Sequence, residues 1–157
     1  MHKVYLSAGS NIGDRIGYLR RAVDMLTERA GLRDVRISGV YETEPVGYDD
    51  QPYFLNICIE ALTGTGMYEL LAIIHDIERE LHRERNIRFG PRTIDVDILL
   101  YDDVVSDDPV LTLPHPRMYE RAFVLMPLSE LKDLPEGCSI PDDKSVVRLG
   151  DYTGFEV

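Results

Sequence analysis

Two stretches of helical period, separated by two runs of β-formers and flanked by two more, constrain this chain more than any other feature. In the first, Ile16, Leu19, Val23, Leu26 and Ala30 recur at three- and four-residue intervals; in the second, Leu70, Leu71, Ile74, Ile77 and Leu81 do the same. That spacing draws one apolar stripe along each helix, and the stripe has to be buried. Asp14 stands where the first helix needs an N-cap and Gly31 where it needs a stop. Ahead of it, Lys3 to Ser7 reads as a strand running into the turn cluster Gly9-Ser10-Asn11-Ile12-Gly13-Asp14. Between the helices, Val35 to Tyr41 and Tyr53 to Leu62 read as strands around a Pro-, Gly- and Asp-containing loop over 43–52. Ile94 to Tyr101 supplies a fourth strand. The order strand, helix, strand, strand, helix, strand is the split βαβ arrangement. The expected fold is therefore α+β: a ferredoxin-like βαββαβ antiparallel sheet with its helices on one face. Residues 104–116, with three prolines, are expected as loop, 117–128 as holding a short helix, and the last thirty as an irregular, acidic C-terminal extension. With no repeat and no low-complexity linker, residues 1–157 are expected to form a single domain.

The net charge is −11, which disfavours a general nucleic-acid binder. Lys3, Lys132 and Lys144 are the lysines, so fourteen of the seventeen cations are arginine. Arginine's planar fork suits carboxylate and phosphate. Cys58 and Cys138 stand far apart with no Cys/His ligand spacing, so neither a zinc site nor a disulfide framework is expected. No apolar run is long enough to span a membrane, and the N-terminus reaches Gly and Asp too early for a signal peptide. A cytoplasmic protein with no membrane partner is the expectation.

The strongest local feature is Arg92-Thr93-Ile94-Asp95-Val96-Asp97-Ile98. On a strand, Asp95 and Asp97 share one face while Ile94, Val96 and Ile98 share the other. Two residues along a strand span about 6.7 Å. Two carboxylates that far apart repel by about 2.5 kcal/mol at an effective dielectric near 20, so a nearby cation stabilises the pair. Mg²⁺ fits, since it takes one or two carboxylates and completes its shell with water and substrate phosphate. A half-exposed strand with both carboxylates facing water is the plainer alternative for the bare pair.

The flank argues for the first reading. Residues 79–92 carry five arginines (Arg79, Arg83, Arg85, Arg88, Arg92) against Glu80 and Glu84, a net +3 in a chain of −11. The helix dipole accounts for Arg79 and Arg83. It does not account for Arg88 and Arg92, beyond the helix. A guanidinium-rich segment ending beside two carboxylates suits a magnesium–polyphosphate. No P-loop, HExxH or GxSxG motif competes. A non-catalytic ferredoxin-like module that binds a small effector or RNA, and a metal nuclease or nucleotidyl transferase built on the DxD pair, remain compatible with these residues alone.

A longer pattern narrows the choice. Arg83-Glu84-Arg85, then Arg88-Phe89-Gly90-Pro91-Arg92-Thr93-Ile94-Asp95-Val96-Asp97-Ile98-Leu99, closely resembles the signature of the 6-hydroxymethyl-7,8-dihydropterin pyrophosphokinases of folate biosynthesis. Gly9-Ser10-Asn11 resembles that family's opening. Tyr41 to Gly47, Asp50-Gln51-Pro52 and Phe54-Leu55-Asn56 resemble its pterin loop and following strand. Leu113 to Met118, with Arg121 and Phe123, resembles its downstream motif. The blocks stand in the family's order and spacing.

The resemblance implies a Mg²⁺-dependent transfer of diphosphate from ATP to the pterin hydroxymethyl group, releasing AMP. It implies that Asp95 and Asp97 hold two Mg²⁺ ions and that Arg83 and Arg92 contact the phosphates, these four being the catalytic set. His75, Glu78, Arg83, Arg92, Ile98, Thr112, His115 and Arg121 match ATP-contacting positions. Thr43, Val46, Phe54, Asn56, Phe89 and Phe123 match pterin-contacting positions. Aromatic faces such as Phe89 and Phe123 suit a flat heterocycle, and the Asn56 amide can both donate to and accept from its edge. The implied partners are ATP and the hydroxymethyl-dihydropterin, without nucleic acid or membrane, for a chain that is a monomer or at most a weak dimer. Three positions depart from the family pattern: His82 where Gly is usual, Phe89 where Trp is common, and His75 where another polar residue can stand.

Overall fold

The computed structural model describes residues 1–44, 52–83 and 93–155, with the Arg83 side chain excepted. Strand β1 (His2–Ser10) feeds helix α1 (Arg15–Arg29). The Asp14 carboxylate accepts the Gly17 N–H at 3.1 Å, the cap expected of it. At the other end Gly31 sits at φ +61°, and the Leu32 N–H returns to the Thr27 carbonyl. Strands β2 (Arg33–Ile37) and β3 (Val40–Thr43) precede β4 (Phe54–Thr63), helix α2 (Met67–Arg83) and β5 (Asp95–Tyr101). A hairpin of β6 (Ser106–Asp108) and β7 (Leu111–Leu113), a 3₁₀ turn (Met118–Glu120), helix α3 (Ala122–Ser129) and strand β8 (Val147–Gly150) complete the chain.

The main sheet is antiparallel, in the order β5-β1-β4-β3-β8, with β2 also paired to β4. Counting β2 and β3 as one broken strand, the first four members of that order are the ferredoxin-like arrangement. One face carries Val4, Leu6, Ala8, Leu55, Ile57 and Ile59, packed against Leu19, Val23 and Leu26 of α1 and Leu70, Ile74 and Ile77 of α2. Both apolar stripes therefore close over one side of the sheet, as their spacing requires.

Three expectations need correction. The strand expected over 35–41 is two strands. Cys58 donates its N–H to the Ser38 hydroxyl, and the Gly39 N–H turns to Glu130, so the ladder breaks at Ser38-Gly39. The loop expected over 104–116 holds the β6–β7 hairpin, whose turn is Pro109-Val110. Both helices of the βαββαβ unit lie on one face, as expected, and the short helix expected within 117–128 is α3. Helix α3 covers the opposite face, where Val124, Leu125 and Leu128 pack on Tyr5, Cys58 and Leu99. The C-terminal extension is not wholly irregular, because β8 pairs with β3 at the sheet edge. Among the described residues, no helix is long and apolar enough to cross a membrane.

Candidate functional site

Pairing across the sheet brings the site together. Asp95 on β5 lies opposite Gly9 on β1, Gly9 opposite Asn56 on β4, and Asn56 opposite Tyr41 on β3. Directly paired residues share a face, so this row points to the α3 side. Strands are about 4.8 Å apart, which sets Asp95 and Asn56 about 10 Å from one another. Asp97 follows on the same face, opposite Ser7. Val96 and Ile98 are buried on the helix face, the alternation expected of this strand.

At the β5 edge of this row lies a cleft of about 350 Å³. His75 and Glu78 line it from α2, Asp95, Asp97 and Ile98 from β5, and Thr112 and His115 from β7 and beyond. Of the residues matched to ATP, five therefore share one cavity. Arg121 is outside the lining; it precedes α3, its guanidinium carbon 5.7 Å from the centre of the Phe123 ring. The Arg83 side chain and Arg92 lie outside the described residues, as do Val46 and Phe89.

Helix α2 is tied to β5 by the Glu78 carboxylate, which accepts the Val96 N–H at 3.0 Å. Burial pushes the Glu78 carboxyl up to about 7; the Val96 bond opposes this, and the charges of Asp95 and Asp97 add to it. Three carboxyl groups thus crowd one wall, the situation in which a cation lowers the energy most. His115 donates its backbone N–H to Leu99 and accepts the Arg117 N–H at Nδ1. Its Nε2 therefore carries the proton of the neutral ring and lies 3.8 Å from the Asp97 carboxylate. Burial holds the His115 ring below its usual range despite Asp97, and the charges of Arg121 and Arg117 act in the same direction as burial.

The described residues matched to the pterin gather at the other end of the row. Thr43 is opposite Phe54, one step from Asn56, and Phe123 projects from the first turn of α3. Asn56 is 4% exposed, and its Nδ2 has no hydrogen-bond partner among the described residues. A buried orphan donor is costly, and a ligand acceptor removes the cost. Gly9 is what lets the amide lie there: a Cβ at Gly9 would stand 2.8 Å from Asn56 Oδ1.

Some lining residues carried no signal of their own. Leu71 could have been found, since it precedes His75 and Glu78 at i+4 and i+7 on the same helix face. Pro109, Val110 and Leu111 could not, because they reach the cleft only through the hairpin. That hairpin is held to α2 by the Tyr68 hydroxyl, which donates to Asp108 at 2.6 Å.

The model of one protein family, 7,8-dihydro-6-hydroxymethylpterin-pyrophosphokinase (HPPK), matches residues 5–133. The chain belongs to this family. It is 50% identical over 147 residues to the 2-amino-4-hydroxy-6-hydroxymethyldihydropteridine pyrophosphokinase of Bacillus subtilis, covering 92% of this chain and 88% of that one. To the protein of the same description from Aquifex aeolicus it is 42% identical over 132 residues, covering 84% and 81%. A solved HPPK-DHPS structure in complex with substrates superposes with a TM-score of 0.62 at 14% identity, over 83% of this chain and 40% of that one. At that identity the superposition speaks for the fold alone. This HPPK is an enzyme, a pyrophosphokinase, and its fold is that of HPPK domains.

Proposed function

We propose that this chain transfers the terminal diphosphate of ATP to 6-hydroxymethyl-7,8-dihydropterin, with Mg²⁺ held at Asp95 and Asp97. The observation that carries the reading is the row Asp95–Gly9–Asn56. It sets a carboxylate wall and a buried amide, whose Nδ2 has no partner among the described residues, about 10 Å apart on one sheet face, room for a polyphosphate at one end and a polar heterocycle at the other.

The donor set fits Mg²⁺. It consists of hard carboxylate oxygens, and the wall contains the Glu78 carboxyl, pushed up first by its partial burial and further by its acidic neighbours. Among the described residues no three His, Cys, Asp or Glu side chains close around one point. That suits ions that bring phosphate and water as their remaining ligands. When bound, two such ions would neutralise charge on the phosphates and polarise the β-phosphorus.

The chain's own residues then do the positioning. The α2 and hairpin walls enclose the nucleotide, with His115 beside Asp97 where its neutral Nε2–H can donate to a phosphate oxygen. Arg83 and Arg92, assigned by their place in the motif, grip the phosphates and stabilise charge growing toward the leaving AMP. Asn56 binds the pterin edge, while Phe54 and Phe123 offer apolar faces. Thr43 lies one strand position beyond, and Val46 and Phe89 complete the pterin set by their place in the motif. So held, the hydroxymethyl oxygen attacks the β-phosphorus, its proton passes to solvent, and the bond to the bridging oxygen breaks with its electron pair leaving on AMP. The test is product identification by mass after incubation with ATP, Mg²⁺ and the hydroxymethyl-dihydropterin. AMP and a pterin carrying two added phosphates support the reading; pyrophosphate, or no product, overturns it.

A further inference from the structure

The C-terminal strand lies beyond the residues matched by the family model, yet it touches one half of the site and not the other. In β8, Arg148 stands opposite Tyr41, the neighbour of Asn56. The Arg148 guanidinium reaches both oxygens of Glu130, at 3.3 and 3.4 Å, and Asp151 at 2.7 Å. Glu130, just past the end of α3, also accepts the Gly39 N–H at 3.0 Å and the Tyr41 hydroxyl. One carboxylate thereby joins β3, α3 and β8. Gly39 makes the seat: a Cβ there would stand 2.5 Å from Arg148 Nη2. Two further contacts run the same way. Val146 is buried against Tyr41 and Ala122, with Phe123 at the edge of that cluster. The Ser145 hydroxyl lies 3.4 Å from that of Thr43. None of the residues lining the ATP-side cleft belongs to this set.

We infer that residues 145–148 act as a strap for the pterin side, in which Arg148, through Glu130, is a positioning residue setting β3 against α3 and so Thr43 and Asn56 against Phe123. The inference rests on the function proposed above. Its physical basis is that Thr43, Asn56 and Phe123 come from three different elements. The α3 end of that trio is fixed to the β3 end through a short charge-assisted network.

Steady-state kinetics of the full-length Arg148→Ala variant tests it. The expected result is a KM for the pterin raised about fivefold, on the scale of a residue acting through its neighbours, with the KM for ATP unchanged. Arg148→Lys, which keeps one charged contact but not the fork, is expected to fall between. Glu130→Gln provides a second break in the same network and keeps an acceptor for Gly39; it should raise the pterin KM in the same direction. A lower melting temperature or a smaller active fraction with both KM values unchanged would mean a structural role only, and would overturn the inference. Asn56→Ala serves as the control. If it raises the pterin KM and neither Arg148→Ala nor Glu130→Gln does, the strap alone is wrong. If wild-type protein forms no pterin diphosphate, the proposed function itself has failed.

Discussion

Two carboxylate centres on this sheet are built in opposite ways. Glu60 on β4 stands opposite Tyr5 of β1; four residues further along β1, Gly9 stands opposite Asp95. Glu60 is buried, and burial alone would push its carboxyl up. The Tyr5 hydroxyl at 2.7 Å, Arg36 at 3.2 Å and Lys3 at 3.9 Å outweigh that and hold it below its usual range. Glu78 is also partly buried, but its neighbours Asp95 and Asp97 are themselves acidic, and its carboxyl is held up at about 7. The first centre carries its own cations and serves the fold. The second concentrates like charge on a cleft wall, which is how a site for a cation-bearing ligand differs from a structural ion pair.

The largest effect is expected at the acidic wall. Asp97→Ala should lower kcat by about 10³-fold, the scale of losing a principal transition-state stabiliser. Turnover in Mg²⁺ equal to wild type would erase the contrast between the two centres. At the far end of the row, Asn56→Ala should weaken pterin binding about tenfold or more, since the edge of the heterocycle loses its partner. Titration calorimetry with the pterin reads this directly. Gly9→Ala should reproduce it more weakly by crowding the same amide.

At the structural centre, Glu60→Gln should leave turnover unchanged and cost about 1–3 kcal/mol of stability, the worth of charged hydrogen bonds. Because the folded carboxyl is held below its usual value, that contribution is present above about pH 4.5 and is lost as pH falls through the folded value. Denaturant midpoints of wild type and variant should therefore converge below that pH. Glu78→Gln should show an effect of the opposite sign. A raised carboxyl contributes fully below about 4.5 and loses that contribution as pH rises through about 7. In chelator, the variant should gain on wild type across that interval, and Mg²⁺ with nucleotide should reduce the gain. Parallel pH profiles for the two variants would contradict the comparison.

The parts of this molecule that could be read from residues are those governed by local rules. Asp14 caps α1 and Gly31 ends it because capping and positive φ involve only a few neighbouring residues. Asp95 and Asp97 share a face because strand alternation is a property of any strand. The hairpin at 106–113 and the strand at 147–150 were not legible, since three or four residues carry too little periodicity to separate a strand from a loop. The break at Ser38-Gly39 depends on Cys58 and Glu130, twenty and ninety-one residues away. Helix α3 is apolar nearly all round, so its sequence announces burial without naming the face it covers.

For this chain, then, the amino-acid order by itself determined the two amphipathic helices, the strands β1, β4 and β5, the acidic pair and the arginine-rich flank, because each depends on spacing within a segment. Only the tertiary structure decided that the hairpin walls the cleft, that α3 brings Phe123 to the sheet, and that Arg148 reaches Tyr41 through Glu130. Those contacts join segments far apart in the chain, and their energies come from packing and charge pairing that no local pattern encodes.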